Sequence, residues 1–228
     1  MPLLFVIFSL VVLLLTKKKM ISDFSRLIHN IGGSQHSAVI TWSIIFLPGT
    51  ITHEISHFLV AAITGARTGK IDILPEYLES EPHDEGSVRV ALGSVQTQKL
   101  NPLQGFLVGV APFISGIALL IWLASLLQAS FIAGNIWIIM LEGYFFFTIA
   151  NSFFPSWPDI RQTIPFTIIF IITFLLVWYF GFQIYFDPTS FIWNILNSLW
   201  KAVALSALLN LAIIGLLFLL RRLTKRTP

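Results

Sequence analysis

Four apolar runs, at about residues 102–128, 136–154, 164–186 and 198–220, each come near or exceed the roughly 20 residues that an α-helix needs to cross a bilayer. A fifth runs from Ala38 to about Ala66 with Pro48-Gly49 inside it, and a shorter one, Pro2 to Leu15, ends at Lys17, Lys18 and Lys19. Lipid offers no water to backbone N–H and C=O groups, so segments of this kind must close their hydrogen bonds internally, as helices do. Composition agrees: 56% of the 228 residues are hydrophobic and 11% charged, with a mean hydropathy of +0.83. A soluble domain carries about 25% charged residues. The expected fold class is an all-α polytopic, multi-pass membrane protein of about six transmembrane helices.

The first run is short for a span and lacks the positive start and small-residue cleavage site of a signal peptide, so it reads as a first transmembrane or interfacial helix. Residues 20–37 are polar, contain Gly32-Gly33, and read as a connecting segment with an amphipathic turn around Phe24 to Ile31. The one extended polar stretch, about 67–101, holds most of the acidic residues. Within it, 69–74 and 87–95 alternate apolar and polar residues around a polar middle, Glu79 to Gly86, which predicts a small β-hairpin insertion. With no internal repeat, the chain reads as a single membrane domain, 1–228. Its core covers 38–175, its strand-containing insertion 67–101, and its accessory helices 176–228.

The chain has no cysteine, which excludes disulfides and thiolate metal sites, so a metal here must be held by His, Asp or Glu. The net charge of +3 comes largely from clusters beside apolar segments. It speaks for membrane orientation and not for a nucleic-acid partner.

The chemical signature is His53-Glu54-Ile55-Ser56-His57. On a helix, positions i and i+4 share a face, so both imidazoles can reach one ion, and Glu54 can reach a water bound to it. A surface helix of a soluble protein could carry the same residues without purpose. Here the flanks are Ile51, Ile55, Phe58, Leu59 and Val60, and ionisable groups inside an apolar segment mark a functional site. A catalytic zinc site takes three protein ligands and keeps one position open. Candidates for the third are Asp159, Glu142, His83, Asp187 and His36. If helix 102–128 crosses away from the His pair and 136–154 crosses back, Asp159 returns to the level of His57. Glu142, early in the returning helix, stays nearer the far face, neutral and hydrogen-bonded. Asp159 also follows Asn151-Ser-Phe-Phe-Pro155-Ser-Trp-Pro158, an irregular segment tolerated at membrane depth only in a protein interior or beside a wet cavity.

These residues resemble the site-2 protease family of intramembrane zinc metalloproteases. The likeness rests on the H-E-I-S-H helix, on Asn151 and Pro155 preceding Asp159 as in the family's Asn-x-x-Pro…Asp-Gly element, and on the small-residue helix Gly105 to Gly116 with Ala111-Pro112. It implies that His53, His57 and Asp159 bind Zn2+, that Glu54 is the catalytic acid/base, and that the strand segment guides substrate. Asn151 and Pro155 are then supporting residues. Arg161, two residues past Asp159, is either a supporting or substrate-contacting residue that steadies a carboxylate or an oxyanion or, the preferred reading, a cytoplasmic orientation charge. The family usually has Gly after the metal-binding Asp, where this chain has Ile160. The implied activity is a zinc metalloendopeptidase that cuts single-span helices of membrane proteins within or near the bilayer. The alternatives are a zinc-binding transporter or sensor and a catalytically inactive scaffold of protease-like fold.

The terminal cluster Arg221, Arg222, Lys225 and Arg226 is expected on the cytoplasmic side of a plasma membrane. Counting back through 198–220 and 164–186 places Asp159 and the 67–101 segment there too. Lys17 to Lys19 then fall on the opposite side if 38–66 spans fully, so one of the two charge signals must yield.

Overall fold

The computed structural model describes residues 2–66, 68–72, 76–78, 89–91, 94–97, 100–181 and 187–224. Along the chain these form α1 (Pro2–Asn30), α2 (Gln35–Ile45), α3 (Leu47–Ile63), β1 (Thr68–Asp72), β2 (Glu76–Leu78), β3 (Arg89–Ala91), β4 (Ser94–Thr97), α4 (Pro102–Ala133), α5 (Ile136–Ser152), α6 (Trp157–Tyr179) and α7 (Phe191–Thr224). The all-α reading of the membrane part stands. Of these helices, α4, α6 and α7 are long and apolar enough to cross a bilayer, and α2 with α3, bent by 71° at Phe46, makes a fourth crossing if the pair is one span. Among the described residues length and composition thus support three spans, or four with the bent pair, and the expected count of about six is not confirmed. At 17 residues α5 is apolar but short, and α1 carries three lysines in its second half.

Local chemistry sets several of the boundaries. Asn101 caps α4 through the Gln104 N–H, Gln104 returns the bond to the Asn101 N–H, and Pro102 takes the first helical position, where no donor is needed. Gly134, at φ 70°, ends α4 in the left-handed conformation that only a side chain lacking Cβ adopts freely. Ser156 caps α6 in a box with Asp159.

One expectation needs correction. Residues 20–30 are not a connector, because α1 runs on through them to bury Met20 and Asp23 against α7. In the strand segment β1 pairs antiparallel with β4 and β2 with β3, a nested order in which 68–78 runs against 89–97; residues 73–75 and 92–93, between the two ladders, lie outside the described residues. The polar middle expected at 79–86, with His83, lies outside the described residues, as do Lys225 and Arg226.

The long helix α4 is the axis. Thr64, His57 and Ser56 of α3 meet Gln104, Val108 and Ser115 in reverse order, so these helices are antiparallel. Gly105 faces Gln162, Gly109 faces the Asp159 carbonyl, and Gly116 faces Phe153 at the end of α5, so the start of α6 also runs against α4. By contrast α1 and α7 run side by side in the same direction, with Phe5 on Trp200, Thr16 on Asn210 and Asp23 on Arg221. Asp23, 2% exposed, is ringed by Lys19 at 3.1 Å, Arg26 at 4.0 Å and Arg221. The lysine run and the terminal arginines therefore share one end of the bundle, which removes the conflict between the two charge signals.

The count back from the C-terminus fails, however. α5 and α6 both run against α4, so the 153–156 break does not reverse the chain. α3 is parallel to α5, with Ile45 on Tyr144 and His53 on Ser152, and Phe147 and Asn151 order α5 antiparallel to α7. The strands accordingly leave α3 at the end opposite Lys19 and Arg221, and not on the same side as expected.

Because the chain is free of cysteine, single cysteines report this directly. In sealed vesicles, Gly69→Cys and Arg222→Cys are expected to react with an impermeant maleimide from opposite sides. Labelling from one side would refute the arrangement. Asn151 and Asn210 exchange reciprocal side-chain bonds of 3.0 and 2.9 Å at the buried α5–α7 contact. Asn210→Ala leaves Asn151 Oδ1 without its donor and is expected to cost about 1–3 kcal/mol in denaturant titration of the detergent-solubilised protein.

Candidate metal centre

His53 and His57 lie one turn apart on α3, and the break between α5 and α6 brings Asp159 to them. One ligand atom from each of the three falls within 4.8 Å of the others. The Nε2 atoms of the two imidazoles are 3.2 Å apart, His57 Nε2 lies 3.2 Å from Asp159 Oδ1, and His53 Nε2 lies 3.5 Å from Asp159 Oδ2. A tetrahedral ion with ligands at about 2.0–2.1 Å sets neighbouring ligand atoms about 3.3–3.4 Å apart. The spacing suits such an ion.

The outer partners explain why these atoms face one another. His53 Nδ1 lies 2.8 Å from the Ser152 carbonyl and His57 Nδ1 lies 2.8 Å from the Val108 carbonyl. A carbonyl only accepts, so each Nδ1 must carry the proton and donate it. In the neutral ring Nε2 is then a bare lone pair, the state a metal ligand needs. Two such lone pairs and a carboxylate oxygen at this separation require a positive charge among them.

The carboxylate is held by the start of its own helix. Asp159 Oδ2 accepts from the Ser156 N–H at 2.7 Å and from the Ser156 Oγ–H at 2.6 Å. The positive end of the α6 dipole favours the anion there. In an uninterrupted helix the Ser156 N–H would serve the Ser152 carbonyl. Pro155 stops α5 short of it, so the amide turns to Asp159 while the carbonyl turns to His53. Sequence reasoning had marked Pro155 but had missed Ser152, Ser156 and Val108. The signal for Ser156 was legible: a Ser with an acid three residues on is a capping box.

Glu54 is 6% exposed beside this group and makes no hydrogen bond to another described residue. Its carboxylate is thus available to a water. Asn151, expected at the site, points instead into the α5–α7 contact, where it bonds Asn210 and the Phe147 carbonyl. Arg161 is exposed on α6. The other candidate ligands are not brought in. Glu142 keeps a buried Oε2 without a hydrogen bond among the described residues, in contrast to the bonded carboxyl expected there. Asp187 is exposed and accepts from the Thr189 N–H at 2.9 Å, His36 is exposed on α2, and His83 lies outside the described residues.

Close approach of α6 to α4 depends on Gly109. A Cβ there would stand 2.7 Å from Thr163 Cγ2 and 2.8 Å from the Asp159 carbonyl oxygen. No family model matches the chain, and no curated protein or solved structure matches it. What the centre can do therefore rests on its own atoms.

Gly109→Ala is expected to push Asp159 off the imidazoles and weaken metal binding about 10–100-fold, the range for losing an outer partner of a ligand. Gly143→Ala, where a Cβ meets nothing within 4 Å, is expected to bind as the wild type does. Competition against a chromophoric chelator measures both.

Proposed function

We propose that the chain is a zinc-dependent metalloendopeptidase acting on helices of membrane proteins, in keeping with its resemblance to the site-2 protease family. One observation carries the reading. Both imidazoles are fixed as Nδ1–H tautomers with Nε2 toward Asp159, and Glu54, a carboxylate with no hydrogen bond among the described residues, stands one residue along the same helix turn. Three ligands and a neighbouring acid are the donor set of a hydrolytic zinc site, which keeps a fourth position for water.

Bound there, zinc supplies a Lewis acid that acidifies water and polarises a carbonyl. His53, His57 and Asp159 hold it, and their outer bonds to Ser152, Val108 and Ser156 keep the rings and carboxylate from turning away. Glu54 takes the proton of the attacking water and delivers it to the departing amine. A helical substrate hides its peptide bonds, so it must unwind first. An extended segment can recover its backbone bonds on a strand edge. Strands β1 to β4 follow the metal-binding helix, and among the described residues each pairs on one side only.

Among the described residues the centre is the single group able to hold a metal, which suits a fixed catalytic ion better than a transport path through several helices. The basic end that joins Lys17–Lys19 to Arg221 and Arg222 is assigned to the cytoplasmic face of the plasma membrane by the positive-inside bias. The centre lies nearer the other end of α4, six residues from its start at Val108, so it sits away from that face.

Glu54→Gln is expected to retain zinc and lose cleavage of a reconstituted single-span substrate by about 10²–10⁴-fold, the contribution of a positioned acid/base. His57→Ala is expected to lose both. Cleavage that survives Glu54→Gln ends the protease reading; absence of zinc from the wild-type protein ends the metal reading.

A further inference from the structure

We infer that Pro112 is a positioning residue for the metal centre, setting the tautomer and orientation of His57 through a carbonyl it leaves without a helical partner. The inference rests on the metal reading above and deepens it. Pro112 sits inside α4, more than two turns from its start, and is almost fully buried. In an α-helix the amide of residue i bonds the carbonyl of residue i−4, so the donor missing at 112 is the one owed to Val108. A proline ring also crowds that carbonyl and tips it off the helix axis. The Val108 oxygen is the atom that accepts from His57 Nδ1, at 2.8 Å. An interior proline weakens a helix, and here the bond it gives up is replaced by one that holds a metal-ligand candidate.

The same arrangement recurs at the other imidazole. The Ser152 carbonyl has lost its helical donor because Pro155 interrupts the chain, and it accepts from His53 Nδ1. Two rings are thus anchored on two carbonyls, one released by Pro112 inside α4 and the other by the Pro155 interruption between α5 and α6.

The α3–α4 contact has other ties. Gln104 Nε2 bonds the Thr64 carbonyl at 3.0 Å, and the Ser56 and Ser115 hydroxyls meet at 2.6 Å. These survive replacement of the proline, so a Pro112→Ala chain keeps its register. In that chain the new amide lies in line with the Val108 oxygen. A carbonyl has two lone pairs, so the imidazole is not excluded outright. The oxygen is drawn back toward the axis and becomes a poorer partner for Nδ1–H, and the low end of the outer-partner range, about tenfold, is expected.

The test uses the full-length protein in detergent. Zinc affinity is read by chelator competition, and the state of His57 by imidazole nitrogen chemical shifts of ¹⁵N-histidine protein. Expected for the wild type is His57 protonated at Nδ1, with and without zinc. Pro112→Ala should bind zinc about tenfold more weakly and lose the hydrogen-bonded Nδ1–H signature. Placing an α-hydroxy acid at position 112, which carries a side chain but no N–H, should restore affinity to within about threefold of the wild type, which a packing role for the ring would not allow. Wild-type affinity in Pro112→Ala, or an ester variant as weak as the alanine one, overturns the inference while leaving the metal reading intact. A wild-type His57 protonated at Nε2 overturns it without recourse to any variant. A wild-type chain that takes up no zinc removes the metal reading and this one with it.

Discussion

Backbone polar groups within a bilayer must find partners inside the protein, and every break in a helix leaves some of them open. Among the described residues the helices are interrupted at Phe46 between α2 and α3 and at 153–156 between α5 and α6, and the interior prolines Pro112 of α4 and Pro165 of α6 each remove one helical donor. Pro112 and the 153–156 interruption leave open groups beside α3. The Val108 and Ser152 carbonyls take the two imidazole N–H groups, and the Ser156 amide takes the Asp159 carboxylate. Defects in secondary structure and polar side chains thus satisfy one another, and the metal-binding geometry follows from that pairing.

Such a centre needs its helices at fixed separations. The α4–α6 contact is made close by glycine: a Cβ at Gly109 would press on Thr163 and on the Asp159 backbone, and one at Gly105 would stand 3.3 Å from the Gln162 carbonyl. Between lipid-bathed helices there is little hydrophobic drive to associate, so close packing of small residues and interhelical hydrogen bonds carry the attraction. The polar pairs occur where this predicts: Ser56 with Ser115 between α3 and α4, and Asn151 with Asn210 and Thr16 linking α5, α7 and α1. The Asn pair lies next in sequence to Ser152, so the contact that fixes α5 against α7 also bears on the carbonyl that holds His53. Outside these contacts the helices turn apolar surface outward. Ile168, Ile169, Phe170 and Ile172 of α6 are all about half exposed, as suits a helix bathed in lipid.

Charge is segregated along the bundle. Asp23 gathers Lys19, Arg26 and Arg221 at one end and ties the first helix to the last. A buried acid with a single partner would be a poor source of stability, since desolvation offsets much of the attraction. Its value here is registry, because a slip of α1 along α7 by one turn would bury the acid without its arginine. The ionisable groups of the metal centre lie far from this cluster along the helices, with Thr16, Asn210 and Asn151 as neutral polar steps between.

The sequence alone determined what is local or periodic. Apolar length required membrane helices, the i, i+4 spacing put His53 and His57 on one face, and counting crossings brought Asp159, not Glu142, to their level. Even the cap at Ser156 was written in four consecutive residues, though it went unread. Tertiary structure decided what depends on how far a helix continues and in which direction. The polar residues after Leu15 hid the passage of α1 to Asn30 because the partner that lets Asp23 be buried there is Arg221, nearly two hundred residues away in the chain. The 153–156 break was read as a reversal when it is an interruption, so the strands and the terminal arginines were set at the same end. Asn151 followed a pattern of spacing, but its side chain answers to Asn210, whose position no local rule supplies. Spacing along one helix is fixed by its geometry, whereas the choice of partner for a freed carbonyl or a buried amide is made only when distant helices meet.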